Sequence, residues 1–355
     1  MVRKNIEYRL NAFGDSSQIF PIKTELAEPA KGEVQLRMVA MGLSMADVLI
    51  RRGFYPDVKN PNVVMGYEGI GVIEALGSDV SETFPALTKG LQVAVMSITG
   101  NNTHFRNIDA KDVVPLPNSV SDADIPSVAA LMLNYVTAYQ MIHRQSLCFD
   151  DNTPTKRVLV HSASGGVGMA IVQLLASLNV DVYGTASAKN HQRLRHYGVT
   201  PIDYTHDDVA SVCQKAGGMD IVFDGIGGSH LNLSNKCLAK KGSLVCYGMT
   251  ELVKGKPESR LTFVKFLATS VRYLIKTKIS SRYSFYSVTN MRSKQPKWFI
   301  EDFHHVFKLF KAGELQPDLA PVLPLSQLVK AHSNLEQGIT VGKQVLVVET
   351  YSHLP

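Results

Sequence analysis

The chain has 355 residues, of which 45% are hydrophobic and 19% charged, with a formal net charge of +6. That length exceeds one core of usual size, and the composition is that of an ordinary folded protein, so two domains are expected and fibrous or unstructured classes are excluded. The positive excess admits anionic partners and carries no information on fold.

The opening "MVRKNIEYRLNAFGD" has no apolar h-region, and no window reaches the roughly 18 apolar residues that a bilayer span needs, so a cytosolic protein is expected. Short apolar strands then alternate with turns in "VQLRMVAMGL", "VVMGYEGIGVIEALG" and "LQVAVMSITG", predicting a mainly antiparallel, partly barrelled β domain. From about Ser127 the texture changes. "PSVAALMLNYVTAYQMIHRQ" reads as helix, "RVLVHS" as strand, "GMAIVQLLASLN" as helix, "DVYGTAS" as strand and "KNHQRLRHYG" as helix. "MDIVFDGI" follows as strand, "HLNLSNKCLAKKG" as helix and "SLVCYGM" as strand. Apolar strands separated by such helices mark an α/β domain with a doubly wound parallel sheet of the Rossmann kind. After Gly313 a mixed β pattern, ending in "GKQVLVVET", returns the chain to the first domain. The expected boundaries are 1–126 with 313–355 for the β domain and 127–312 for the parallel-sheet domain.

In "HSASGGVGMA" the residues Ala163, Gly165 and Gly168 take the three positions of a G-x-G-x-x-G fingerprint, with alanine first. Small residues allow the tight strand-to-helix turn, let backbone amides around Gly165, Gly166 and Val167 approach a pyrophosphate, and let the helix pack closely at Gly168. A ligand-free tight turn needs the same residues, but here a strand precedes and a helix follows, as nucleotide binding requires. An NAD site places an acid about twenty residues on. No acid stands from Thr185 to His191, whereas Ser187, Lys189 and Asn190 suit a 2′-phosphate and Tyr204 the adenosine, so NADPH is the expected cofactor. The alternative for Lys189 is a solvated helix-start residue.

"GLSMADVLIRRGFYP" and "MGYEGIGVIEALG", taken with the glycine corner, resemble the medium-chain dehydrogenase/reductase superfamily and within it the zinc-free quinone oxidoreductases, nearest the vesicle amine transport group. "LNYVTAY", "YGTASA", "CYGM" and "VGKQVLVVE" follow that group's blocks in order. The resemblance implies a GroES-like partial β-barrel for the first domain and reduction of quinones or α,β-unsaturated carbonyls. Zinc enzymes of the superfamily carry a cysteine near Ser44 and a histidine at Tyr67, and hydroxyls are not normal zinc ligands, so no metal is expected. The four cysteines, Cys148, Cys213, Cys237 and Cys246, form no CxxC pair and point to no structural zinc or disulfide framework.

By the same resemblance Tyr55 matches a tyrosine placed over the nicotinamide or used as proton donor, with a packed turn aromatic before Pro56 as its alternative. Ser44 and Asp47 match cleft-lining Asn and Asp residues, although Ser44 lacks the amide and Asp47 is equally read as a helix cap. Asn134 and Thr137 are expected near the nicotinamide and phosphates, Gly248 and Met249 under the ring, and Lys343 approaching the cofactor from the tail. Leu91 and Gln92 replace a usual Asp-Arg pair, which is expected to affect a turn only.

The segment from Lys254 to Lys297 is strongly basic and opposed mainly by Glu258. Within it "LTFVKFLATSVRYLIKTK" sets Phe263, Val264, Leu267, Val271, Leu274 and Ile275 on one helical stripe against Lys265, Arg272 and Lys276. Packing of that stripe on its own protein is favoured over a membrane surface, which stays open as the role of a nucleotide-holding, non-catalytic protein binding through 261–278. The resemblance implies a homodimer whose subunits pair through a strand after this region, which "YSFYSVT" is expected to supply. The eleven histidines show no ligand spacing, and no aromatic-basic platform suggests nucleic acid.

Overall fold

Residues 3–117, 120–145, 156–254 and 260–349 are described by the computed structural model of the chain, so Cys148, Lys256, Glu258 and the side chain of Phe263 lie outside the described residues. The chain divides into two units, Met1–Leu133 with Phe303–Lys308 and Pro317–Pro355, and Asn134–Asp302 with Leu309–Gln316.

The first unit is built on a seven-stranded sheet. Its path runs Leu323–Pro324, Gln344–Val347, Glu33–Leu43, Glu68–Leu76, Gln92–Met96 and Val113–Pro115, with Phe105–Asp109 also on Glu33–Leu43. Every pairing is antiparallel except that of Leu323–Pro324 with Gln344–Val347. The hairpin Arg3–Leu10 and Ile19–Leu26 stands as a separate two-stranded sheet. Gln92 brackets the backbone of Val120, accepting from its N–H at 2.6 Å and donating to its carbonyl at 3.1 Å, so this departure from the usual Asp-Arg closes a loop.

The second unit holds six parallel strands in the order Thr200–Asp203, Val180–Ala186, Lys156–Val160, Met219–Asp224, Leu238–Cys246 and Tyr283–Phe285. Numbered along the chain this is 3-2-1-4-5-6, and the order reverses between Lys156–Val160 and Met219–Asp224, where doubly wound sheets bind ligands at the strands' carboxyl ends. Leu159, Val222, Leu231, Cys237 and Leu244 make a core buried by the covering helices, as uninterrupted apolar strands require.

Several expectations need correction. "HLNLSNKCLAKKG" is not one helix: it ends at Cys237, and Leu238–Cys246 is strand. Leu238 and Ser243–Cys246 pair with Met219–Asp224 across a register shift at Ala239–Gly242, where a Cβ at Gly242 would overlap the Met219 carbonyl oxygen. The 125–143 helix is interrupted by a π turn at Leu131–Tyr135. "YSFYSVT" is strand only over Tyr283–Phe285, because the Ser287 side chain accepts from Asn290 N–H at 3.3 Å and starts the helix Val288–Lys294. A helix at Val209–Lys215, capped by Asp208, has no counterpart in the expected elements.

The stripe of the basic helix also falls differently. Among the described side chains of Arg260–Ile279 those packed inward are Phe266 and Tyr273, seven residues apart. Val264, Leu267, Val271, Leu274 and Ile275 point to solvent, so the predicted packing of the aliphatic stripe on its own protein is overturned. Lys276 sits over the Tyr273 ring at 4.3 Å.

Candidate active site

In the second unit the corner begins where Lys156–Val160 ends. His161 N–H donates to Phe223 O at 2.9 Å, Ala163 N–H to Thr185 O at 3.0 Å and Ser162 N–H to Thr185 Oγ1 at 3.1 Å, pinning the turn to both neighbouring strands. Ser162 takes φ +55°, the chain turns through Gly165, and the helix Gly166–Leu175 follows. A Cβ at Gly168 would overlap the Ser162 carbonyl oxygen and press on Ala163 Cα at 2.9 Å. Glycine here is a condition of the helix sitting this close to its strand. A Cβ at Gly166 would lie 2.5 Å from Asn134 Nδ2, so the buried Asn134 closes on the helix start, and Thr137 is buried beyond it in Val136–His143. The helix presents unpaired N–H groups and the positive end of its dipole, with no side chain on Gly165, Gly166 or Gly168 to obstruct a pyrophosphate.

The register of the next strands gathers the adenosine-end candidates. Ala186 lies opposite Asp203, so Ser187 and Tyr204, one residue on in each chain segment, leave the sheet side by side. Ser187 is half-buried and accepts from Asn190 Nδ2 at 3.2 Å, while Lys189 and Tyr204 are exposed. No acidic side chain occupies the end of Val180–Ala186.

Across the switch point, Asp224 ends its strand fully buried and accepts four hydrogen bonds. They come from Ile226 N–H at 2.7 Å, Gly227 N–H at 3.0 Å, His230 Nδ1 at 3.0 Å and Ser234 Oγ at 2.6 Å. Burial alone would raise its pKa, but the hydrogen bond and charge of His230, with His161 and Ser234, hold the carboxyl well below the usual range. His161, stacked edge-on to His230 at 4.4 Å, is driven by burial down to about 3 and is neutral. The group fixes the turn Gly225–Gly228, against which Gly248 packs so tightly that a Cβ there would overlap the Gly225 carbonyl, with half-buried Met249 following.

In the first unit Ser44 caps the helix Met45–Arg51. Asp47 Oδ2 accepts from Ser44 N–H at 2.9 Å and from its hydroxyl at 2.8 Å. Ser44 therefore spends its proton on Asp47 and offers a ligand only an acceptor oxygen. Asp47 is fully buried and its Oδ1 has no hydrogen-bond partner among the described residues. Burial lifts its pKa to about 6 against the hydrogen bonds from Ser44 and the charge of Lys343, with Glu68 adding to the rise. Lys343 donates to Glu68 Oε1 in a buried ion pair, and Glu68 Oε2 accepts from Leu133 N–H at 2.7 Å. Arg51 and Arg52 clamp the helix end to the Glu336 carboxylate at 2.5 and 2.6 Å. The chain leaves that helix through Gly53, φ +76°, and turns at Tyr55, whose hydroxyl lies 2.8 Å from that of Tyr67.

Comparison with known proteins bears on the whole chain. The alcohol dehydrogenase GroES-like domain family matches residues 30–118 and the zinc-binding dehydrogenase family residues 198–346. The human synaptic vesicle membrane protein VAT-1 homolog is 30% identical over 339 residues, 90% of this chain and 80% of that protein. The chain is a medium-chain dehydrogenase/reductase of the quinone oxidoreductase branch, near the VAT-1 proteins. Quinone oxidoreductase of Pseudomonas aeruginosa is 28% identical over 90% of this chain and 93% of its own length. A mycobacterial protein solved with NADPH shares the fold at TM-score 0.79 and 23% identity, covering 97% of this chain and 99% of that one.

Within this superfamily a catalytic zinc does not fit these residues. Ser44 and Tyr67 supply hydroxyls, and among the described residues no three His, Cys, Asp or Glu side chains converge on a metal position. A dinucleotide does fit, because the corner carries no side chain at Gly165, Gly166 or Gly168 and packs too closely at Gly168 to admit a Cβ. Sequence reasoning missed the Asp224, His161, His230 and Ser234 cluster, whose one signal was an Asp between an apolar strand and "GIGG". It also missed the Glu68 and Lys343 pair and the bond between Tyr55 and Tyr67.

Proposed function

We propose that the protein is a zinc-independent reductase that uses NADPH to reduce quinones or α,β-unsaturated carbonyls. The observation that carries this reading is the glycine corner joined, on the adjacent strand end, to Ser187 and Lys189 with no acid between Thr185 and His191. The NADPH named for the mycobacterial neighbour and the activity named for the Pseudomonas relative support it.

The corner residues Ala163, Gly165, Gly166, Val167 and Gly168 hold the pyrophosphate, while Ser187, Lys189 and Tyr204 hold the 2′-phosphate and adenosine. Asn134, Thr137, Gly248 and Met249 bound the nicotinamide end, with the Asp224 cluster keeping the Gly225–Gly228 turn rigid. Bound NADPH supplies a hydride to the acceptor. Tyr55 gives the proton that completes the reduction, since a neutral hydroxyl donor performs what a Lewis acid performs in the zinc enzymes. Ser44 and Asp47 act on Tyr55 by fixing the start of the helix that leads to it, and Lys343 pairs with Glu68 at the start of the Glu68–Leu76 strand. A panel of quinones, enones and enoyl thioesters with NADPH absorbance as readout tests this. Turnover of one class, lost in Tyr55→Phe, supports the reading, and no turnover of any class with NADPH bound refutes it.

A second reading rests on the outward stripe. Val264, Leu267, Val271, Leu274, Ile275 and Ile279 are 46–77% exposed on one helix that carries no acidic residue, and relatives are named as vesicle membrane proteins. Among the described residues no helix is long and apolar enough to cross a membrane, so such an association is peripheral. Val271→Glu with Leu274→Glu abolishes pelleting with anionic liposomes under this reading and leaves it unchanged otherwise.

A further inference from the structure

Tyr67 stands where the zinc enzymes that this chain resembles carry a histidine, and its hydroxyl meets that of Tyr55. The oxygens are 2.8 Å apart, the rings meet edge to face at 5.9 Å and 69°, and Tyr67 is 2% exposed while Tyr55 is half-buried. Tyr67 is the better fixed of the two. It immediately precedes Glu68 and the Glu68–Leu76 strand, and its carbonyl accepts from Ser97 N–H at 2.9 Å, while Tyr55 lies in a turn closed by Val58 N–H on its carbonyl at 3.1 Å. Either hydroxyl can donate in the resting pair.

We infer that Tyr67 is a positioning residue for proton transfer, its hydroxyl donating to Tyr55 oxygen so that the Tyr55 proton is directed to the acceptor and the phenolate left behind is stabilised. This rests on the reading of Tyr55 as proton donor. After the acceptor has taken up hydride and become an anion, the Tyr55 O–H bond breaks. The proton goes to the acceptor oxygen, the electron pair stays on the Tyr55 oxygen, and water later returns the proton. A hydrogen bond from a neutral hydroxyl to an oxyanion is stronger than one to a neutral phenol, so Tyr67 contributes most after the proton has moved. A fixed donor aimed at developing charge assists the step without contacting the substrate.

Tyr67→Phe keeps the ring and removes the donor. In steady-state assays its kcat falls about tenfold with KM for NADPH unchanged, and the basic limb of the kcat profile moves up by about one pH unit. In the Tyr55→Phe background the same change has no further effect, because Tyr67 acts through Tyr55. A readout independent of turnover is ¹⁹F NMR of protein labelled with 3-fluorotyrosine, the Tyr55 signal being assigned by its loss in Tyr55→Phe. Its ionisation midpoint rises by about one unit in Tyr67→Phe. Full turnover in Tyr55→Phe sinks the proton-donor reading and this inference with it. Slow Tyr55→Phe beside an unaltered Tyr67→Phe overturns the inference alone. Equal losses from Tyr67→Phe in both backgrounds, or an unmoved ¹⁹F midpoint, also overturn it.

Discussion

Lys343→Met should unfold the first unit early and leave the nucleotide corner of the second unit intact. Lys343 is 5% exposed at its side chain and Glu68 0%, and the carboxylate's other oxygen is already used by Leu133 N–H. Removing the ammonium strands a charge in the interior, which costs about 3–5 kcal/mol, whereas replacing both partners by neutral groups of similar size is often nearly free. Glu68→Gln can still accept from Leu133 N–H, so the double variant Glu68→Gln with Lys343→Met should recover most of the loss. At roughly 2–4 °C per kcal/mol for a unit of this size, the single variant loses on the order of 10 °C or more in the first-unit transition. Differential scanning calorimetry of parent, both singles and the double gives the cycle, and fluorescence titration gives NADPH affinity. A loss under about 1 kcal/mol, or a double variant no better than Lys343→Met, would show that the pair is not what buries Glu68.

Three further outcomes follow from the site. Gly168→Ala drives a methyl into the Ser162 carbonyl and Ala163, so NADPH affinity should fall more than tenfold with a loss of about 1–3 kcal/mol in stability; parent-like binding in a titration would contradict the close helix–strand contact. Lys189→Ala should weaken NADPH about tenfold and leave NADH unchanged, as expected when one charge-assisted contact to a 2′-phosphate is lost, and equal effects on both would remove Lys189 from the site. Asp47 has a folded-state pKa of about 6 against 3.8 for the free group, so the fold holds a proton that the unfolded chain has released. Stability from this group is full below the lower value and declines as pH rises toward about 6, by about 1.4 kcal/mol per unit. Asp47→Asn should therefore gain on the parent by about 2–3 kcal/mol between pH 4 and 7 in urea unfolding, and parallel curves would show that Asp47 is ionised at no such cost.

The parallel sheet was legible because each central strand is an unbroken apolar run and each connection is long enough for a helix. The corner was legible because the turn tolerates so few residues. In Leu238–Cys246 the half from Ser243 was legible in "SLVCYGM" and the half before it was not, since Ala-Lys-Lys favours helix locally and lies in a register shift of the pairing with Met219–Asp224. The aliphatic stripe of Arg260–Ile279 was found by periodicity, but periodicity does not say which of two faces packs, and two aromatic side chains decided it. Asp224 with His161, Glu68 with Lys343 and Tyr55 with Tyr67 are brought together by folding, from positions that no local pattern links.

The reductase proposed for this chain prefers NADPH and needs no zinc. Protein dialysed against a chelator and checked by elemental analysis should oxidise NADPH in the presence of a quinone or enone acceptor at the undialysed rate, with NADH at least about tenfold less effective in kcat/KM. Activity that vanishes with the metal and returns with stoichiometric zinc, or equal use of the two cofactors, would contradict it.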